Sequence, residues 1–381
     1  MNRFAAPFVA AFIAAAVAVP GAANAYETNA KYAYMIDAKT GTVLFDKNGA
    51  ETMFPASMTK MMTIYLTFER LKDGRLTLNS GLPVSEEAWR TGGSKSFMMV
   101  GDKVRVEDLI RGVIVQSGND ACMVLAQGMA GSEAAFAVEM NKKAKELGMT
   151  GTHFKNSDGM PDPEHITTAR DLAILAKRTI EDFPEYYSYY AETEYSHGGI
   201  KQANRNPLLY KNIGADGLKT GHTEASGYGL SGSAIRGGRR VIAVLNGMAS
   251  DKERAQESER MIEWGFNEYE NYTLFKAGEI VDNAPVEMGK AATVPLAAEK
   301  EVLVTLPRAA RQDVKASAQY TTPLPAPITK GSRVGTLVIS APGAQTIEIP
   351  LVATADVPRL GFFGRTAASV KRMFTGGGSS K

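Results

Sequence analysis

Lys60 stands in the segment FPASMTKMM, residues 54–62, three positions after Ser57 and among methionines. Met58, Met61, Met62, Tyr65 and Leu66 recur at helical spacing, so residues 55–72 predict a helix with an apolar face. Pro55 suits its first turn. An unpaired ammonium in such a setting is costly, so any fold this chain adopts must give Lys60 partners or keep it neutral. Positions i and i+3 are neighbours on a helix, which brings Ser57 and Lys60 into contact. A serine hydroxyl is a poor nucleophile until a base takes its proton. A lysine becomes that base where burial or a nearby cation lowers its pKa. The N-terminal end of the helix adds backbone N–H groups and a positive dipole end, which suit an oxyanion. Alone, S-x-x-K arises about once by chance in a chain this long, and a lysine snorkelling from a helix start explains it equally well.

Two further motifs narrow the reading. Ser117-Gly118-Asn119, inside IVQSGNDA, falls in a tight link between two helical segments. A hydroxyl and an amide there can relay a proton and hold a substrate carbonyl or amide. Lys219-Thr220-Gly221, inside DGLKTGHT, reads as a strand entering a turn. Lys219 supplies a second cation, Thr220 a hydroxyl for a carboxylate, and Gly221 lets a ligand or another backbone approach closely. Each motif alone has an ordinary structural explanation, a helix cap for the one and an edge strand for the other. The ordered set S-x-x-K, S-x-N and K-T-G is far rarer and is the pattern of penicillin-recognising serine enzymes.

The rest of the 381 residues give the frame. Residues 1–25 combine a basic start at Arg3, an apolar run to Val19 and Ala23-Asn24-Ala25, a secretory signal with cleavage expected before Tyr26. YAYMIDAKTGTVLFDK alternates around a turn and predicts a hairpin from Tyr32. Helical patterns follow at 106–115, 119–130, 132–147 and 168–182, strands resume near 194, a hairpin turns at Gly237-Gly238, and 251–270 is helical. Strands, helices, then strands and a final helix predict an α/β (α+β) catalytic domain over 26–274, an antiparallel sheet flanked by helices. Short alternating segments between Pro and Gly turns predict a small all-β sandwich over 275–356. Residues 357–381 predict a basic amphipathic helix and a tail, with Leu360, Phe363, Ala367, Val370 and Phe374 on one face. Such a helix can lie on an anionic membrane surface. A net charge of +2, with Lys and Arg dispersed, gives no basic patch for nucleic acid. The four histidines lack zinc-ligand spacing, so no metal or cofactor is expected. Cys122 lies in an apolar helical run and reads as a buried small hydrophobe.

The chain resembles the low-molecular-mass penicillin-binding proteins, and among them the D-alanyl-D-alanine carboxypeptidases of the penicillin-binding protein 5 type. FPASMTKMMT is similar to that family's P-A-S-L-T-K segment, with Met58 where leucine is usual, VQSGNDAC to its S-G-N-D-A-C segment, and GADGLKTGHTEASGYGLSGSA to its K-T-G region. The resemblance implies a β-lactamase/transpeptidase-like catalytic domain, peptidoglycan stem pentapeptides as substrates, β-lactams as acylating ligands, and a periplasmic location on the outer face of the inner membrane. It implies Ser57 as nucleophile, Lys60 as base, Ser117 and Lys219 passing the proton to the leaving D-alanine, and Asn119 holding substrate. The backbone N–H groups of Ser57 and His222 would form the oxyanion hole, and Thr220, with Gly221 beside it, would face the terminal carboxylate. Arg254 matches a family position that helps hold that carboxylate, a task its bidentate fork suits. Arg205 matches an arginine near the site entrance. A class A β-lactamase shares the motifs but needs a glutamate in E-x-x-L-N, and after Glu164 this chain has Thr167 and Thr168 in the last two places. Position 118 is glycine rather than the aspartate of S-D-N. D,D-endopeptidases use the same residues, and an inactive wall-binding relative would keep the same fold. The oligomeric state is not encoded in these patterns.

Overall fold

The structure, a computed structural model, describes residues 26–364 and 366. Its centre is a five-stranded antiparallel sheet in the order Val43–Lys47, Tyr32–Asp37, Arg239–Met248, Gly227–Arg236, Ala215–Thr223. The N-terminal hairpin and the 215–248 strands therefore meet in one sheet, and its helices, apart from Asp251–Glu268, lie in the long connection between its second and third strands in sequence. The alternation of strand residues explains why helices cover both faces. Tyr34, Ile36, Ile242 and Val244 point into a core shared with the helices Lys60–Lys72, Val106–Ile114, Asn119–Ala130, Glu133–Leu147 and Ala169–Asp182. Ala33, Met35, Val241, Ala243 and Leu245 point to the other face, onto Met261, Ile262 and Phe266 of the helix Asp251–Glu268.

The expected mixed α+β domain is the one observed, and the local caps account for most helix starts. Ser132, Thr168 and Ser250 each accept a backbone N–H from the residue three positions on. Gly131 and Gly148 close two helices in the left-handed region. One local expectation changes: residues 56–59 form a 3₁₀ turn, and the α-helix begins only at Lys60. The strands Glu194–His197 and Ile200–Ala203 pair only with each other, apart from the main sheet.

The helix expected to run to residue 270 ends at Glu268, and the next strand, Tyr269–Phe275, pairs with Val302–Pro307. A domain border at 274/275 thus falls inside a strand of the second unit, because the alternation in YENYTLF continues the helix without a Gly or Pro to mark the change. That two-stranded ribbon packs Val302, Val304 and Leu306 against Val294, Leu296, Leu337, Ile339 and Leu351 of a six-stranded sheet, giving the small β domain its own core. The two units are tied by Thr40 and Thr305, whose hydroxyls lie 2.6 Å apart, and by Arg239, which donates to Asp37 at 2.9 Å and to the carbonyl of Tyr269 at 2.7 Å. Among the described residues no single helix is long and apolar enough to cross a membrane. The amphipathic face expected of the tail lies mostly outside the described residues; of the nearby positions, Phe362 and Phe363 are exposed.

The loop after the fourth large helix meets the turn that carries Ser57. Gly159 has φ +85°, and a Cβ built there would sit 1.9 Å from the carbonyl oxygen of Ala56. Gly159→Ala is therefore expected to cost roughly 2–4 kcal/mol through left-handed strain and overlap. The check is the denaturation midpoint of the variant against the parent chain, which should drop clearly.

Candidate active site

Three backbone segments meet around Ser57. Pro55–Ala56 leads into the 3₁₀ turn, with Ala56 in the left-handed region at φ +48°. The carbonyl of Pro55 would lie 2.8 Å from a Cβ at Gly221, so the K-T-G strand can pass the nucleophile turn only with glycine there. The close approach expected at Gly221 is thus made by the protein's own backbone. Ser117 is the second strained non-glycine position, at φ +59°. Two such residues flanking one cleft are an uncommon concentration of backbone strain, of the sort that collects at functional sites.

Lys60 is fully buried, and its Nζ donates to Ser57 Oγ at 3.0 Å, Asn119 Oδ1 at 2.8 Å and the carbonyl of Asp158 at 2.5 Å. All three ammonium donors are accounted for, which answers the cost of burying the group. The same geometry suits the neutral amine. Its two N–H groups would stay on Asn119 and Asp158, leaving the lone pair aimed at the Ser57 hydroxyl. Ser57 itself is half-buried, so its hydroxyl is reachable from the cleft.

Asn119 is held in turn. Its Nδ2 donates to the carbonyl of Gly92 at 2.7 Å, and its backbone N–H to the carbonyl of Ser94 at 2.7 Å. Ser117 is buried beside it in the link before the helix, whose N-cap is Gly118. Lys219 is buried on the K-T-G strand and donates to the carbonyl of Thr220 at 3.2 Å. Burial pushes its pKa well below the lysine range, and the nearby charges of Lys60, Arg205 and Arg254 push it further, with Cys122 opposing. Lys219 thus gives up its proton more readily than an exposed lysine does.

The strand Ala215–Thr223 is the edge of the main sheet, so one row of its backbone groups faces away from strand partners. That edge can take an extended peptide by adding a strand. Thr220 lies buried on it, and the exposed His222 stacks on Tyr228 with ring centroids 3.9 Å apart. Arg254 is buried at the start of its helix, ion-paired with Asp251, with its guanidinium 5.7 Å from the Tyr228 ring. Its Nε has no partner within the described residues, a donor left for a ligand. Arg205 is exposed and donates to Ser94 Oγ at 2.7 Å, on the loop that also backs Asn119. All ten residues singled out in the sequence therefore belong to the nucleophile turn, the K-T-G edge or their immediate surround.

Several supporting residues carry no such sequence signal. Asp158 acts through its carbonyl, which no side-chain pattern can reveal. Asp120, buried, accepts from the backbone N–H groups of Ser96 at 2.8 Å and of Ala121 at 2.9 Å, pinning the 92–99 loop to the helix. Its place directly after S-G-N was the available clue. His165, also buried, bridges Thr59 Oγ1 at 2.8 Å and the backbone N–H of Lys155 at 3.1 Å. Since Nδ1 accepts from Lys155, the ring proton sits on Nε2 and is given to Thr59. Cys122 is buried, and burial pushes its thiol pKa up, in keeping with an inert packing role. No group of three or more metal-binding side chains occurs among the described residues.

A half-buried serine held against a buried lysine, beside an open sheet edge lined by a second lysine, defines an active-serine enzyme of the acyl-transfer class. The comparisons place it more closely. A family model described as D-alanyl-D-alanine carboxypeptidase, peptidase S11, matches residues 18–250, and one described as penicillin-binding protein 5, C-terminal domain, matches 269–359. The chain is 39% identical to the D-alanyl-D-alanine carboxypeptidase DacC of Escherichia coli over 94% of its own length and 92% of the relative's. It is 36% identical to DacF of Bacillus subtilis over 87% of each. The crystal structure of penicillin-binding protein 5 from Haemophilus influenzae superposes with a TM-score of 0.80 at 35% identity, covering 89% of this chain and all of that one. This chain belongs to the peptidase S11 family of D-alanyl-D-alanine carboxypeptidases.

The His165 pKa, pushed down from 6.5 to about 4 by burial, gives a pH prediction. The unfolded chain takes up the proton below about pH 6.5 and the folded chain only near 4, so stability is lost as pH falls through that window. The loss should reach about 3 kcal/mol at the acid end. Denaturant titrations from pH 7 to 4 should show this slope, and His165→Gln should flatten it.

Proposed function

We propose that the chain is a serine-type D-alanyl-D-alanine carboxypeptidase that removes the terminal D-alanine from peptidoglycan stem pentapeptides. The observation that carries the proposal is the Lys60 cluster: Nζ 3.0 Å from Ser57 Oγ, with its other two directions taken by Asn119 and Asp158. The substrate adds to the edge strand Ala215–Thr223, with its terminal carboxylate at Thr220 and Arg254 and the scissile carbonyl beside Gly221. Ser57 Oγ attacks that carbonyl carbon while its proton passes to neutral Lys60. The backbone N–H groups of Ser57 and His222 take the oxyanion. As the C–N bond breaks, the proton held by Lys60 passes through Ser117, with Lys219 as the second relay, to the leaving amine and leaves Lys60 neutral again. Water then attacks the ester and gives a proton to Lys60, which passes it to Ser57 Oγ as the C–O bond breaks, freeing the serine and the shortened peptide.

β-Lactams react at the same hydroxyl and leave an ester in place of the peptide acyl group. That the related penicillin-binding protein D2 of Listeria monocytogenes is known in an ampicillin-bound form supports this ligand class. The secretory signal at 1–25 supports work in the periplasm, and exposed Phe362 and Phe363 beside a basic tail support peripheral attachment to the inner membrane.

The test is D-alanine release from a pentapeptide by the purified mature chain. Wild type should release one D-alanine per peptide. Ser57→Ala and Lys60→Ala should each lose at least about a thousandfold in kcat. Mass spectrometry should locate a penicilloyl adduct on Ser57 in the parent and none in Ser57→Ala. Release unaffected by either substitution would remove the mechanism.

A further inference from the structure

An apolar pocket of about 240 Å³ opens next to the nucleophile and takes no part in the steps above. Phe54, Pro55, Ala56, Met160, Pro161 and Pro163 supply its methylene and ring walls, Thr223 and Ala225 its border on the K-T-G side. Whole-ligand sites run to about 300–1,000 Å³, so this volume fits a single side chain. Its position says which one. Lys219, Thr220, Arg205 and Arg254 do not line it, whereas Thr223, on the far side of Gly221 from Thr220, does. A peptide on this edge with its carboxylate at Thr220 therefore runs its acyl portion past His222 towards the pocket.

The lining contains one carboxylate, Asp162. One of its oxygens accepts the backbone N–H of Glu164 at 2.8 Å, and the other makes no hydrogen bond within the described residues. The neighbouring Glu164 is already paired with Lys155 at 2.7 Å, outside the pocket lining. Apolar walls around one partly engaged, half-buried carboxylate match an aliphatic chain that ends in an amino group. Resting on the carboxypeptidase reading above, we propose that this pocket is the subsite for a diamino-acid side chain upstream of the scissile bond, with Asp162 receiving its free ammonium.

The test compares two pentapeptides ending in D-Ala-D-Ala, alike except that the side-chain amine of the residue before them is free in one and acetylated in the other. In the parent chain the free amine should give the higher kcat/KM. Asp162→Asn should lower kcat/KM for the free-amine peptide about fivefold and leave the acetylated one unchanged. Asp162→Lys should reverse the preference. Acylation by benzylpenicillin at the parent rate in both variants shows that Ser57 and its surround are intact. Equal effects on both peptides, or no effect on either, would overturn the subsite while leaving the carboxypeptidase standing. No release from either peptide by the parent chain would instead overturn the carboxypeptidase reading itself.

Discussion

The site depends on the burial of one lysine nitrogen, the Nζ of Lys60, among three hydrogen-bond partners. Lys60 has no exposed surface, and its three hydrogen-bond partners come from different parts of the chain: Ser57 one turn back, Asn119 from the second motif, and Asp158 from the loop between the helices Glu133–Leu147 and Ala169–Asp182. An unmet donor there would cost several kcal/mol. The helix, the link before Asn119–Ala130 and the 157–160 loop are therefore held in fixed positions by the hydrogen bonds of a single buried amine. Thr63, which donates to the carbonyl of Ser157 at 2.6 Å, fastens the same loop one helical turn further along.

The sheet supplies what the cluster cannot, a place for substrate. The K-T-G strand is the last in the order, so its outer edge is free of a strand partner, and its glycine lets it lie against the serine turn. Lys219 on that strand is buried, and burial first, then the three cations nearby, favours its neutral form. The cleft thus holds two lysines whose chemistry differs with their contacts. One is saturated by acceptors; the other is buried with a single backbone acceptor and crowded by like charge.

Part of this is legible in the sequence alone. The i, i+3 spacing of Ser57 and Lys60, the alternation in YAYMIDAKTGTVLFDK and the turn at Gly237-Gly238 are local signals; the spacing brought the two side chains together, and both hairpins formed where the pattern placed them. The 3₁₀ start of the nucleophile helix was not legible, since 3₁₀ and α turns share residue preferences and differ by one hydrogen bond. The separate hairpin at 194–203 and the domain border at Glu268/Tyr269 depend on which strand pairs with which, and strand character alone does not name the partner.

By itself the sequence determined most of the helices, the hairpins at Tyr32–Lys47 and Gly237-Gly238, and the chemical types that any site here would use, because those follow from spacing along one segment. Only the tertiary structure decided that residues 57, 119 and 158 share one ammonium, that Gly221 faces Pro55, and that Asp162 is the lone carboxylate lining an apolar pocket. Those contacts join residues tens to hundreds of positions apart. Their free energy comes from burial and exclusion of water, which exist only once the sheet and helices have closed around them.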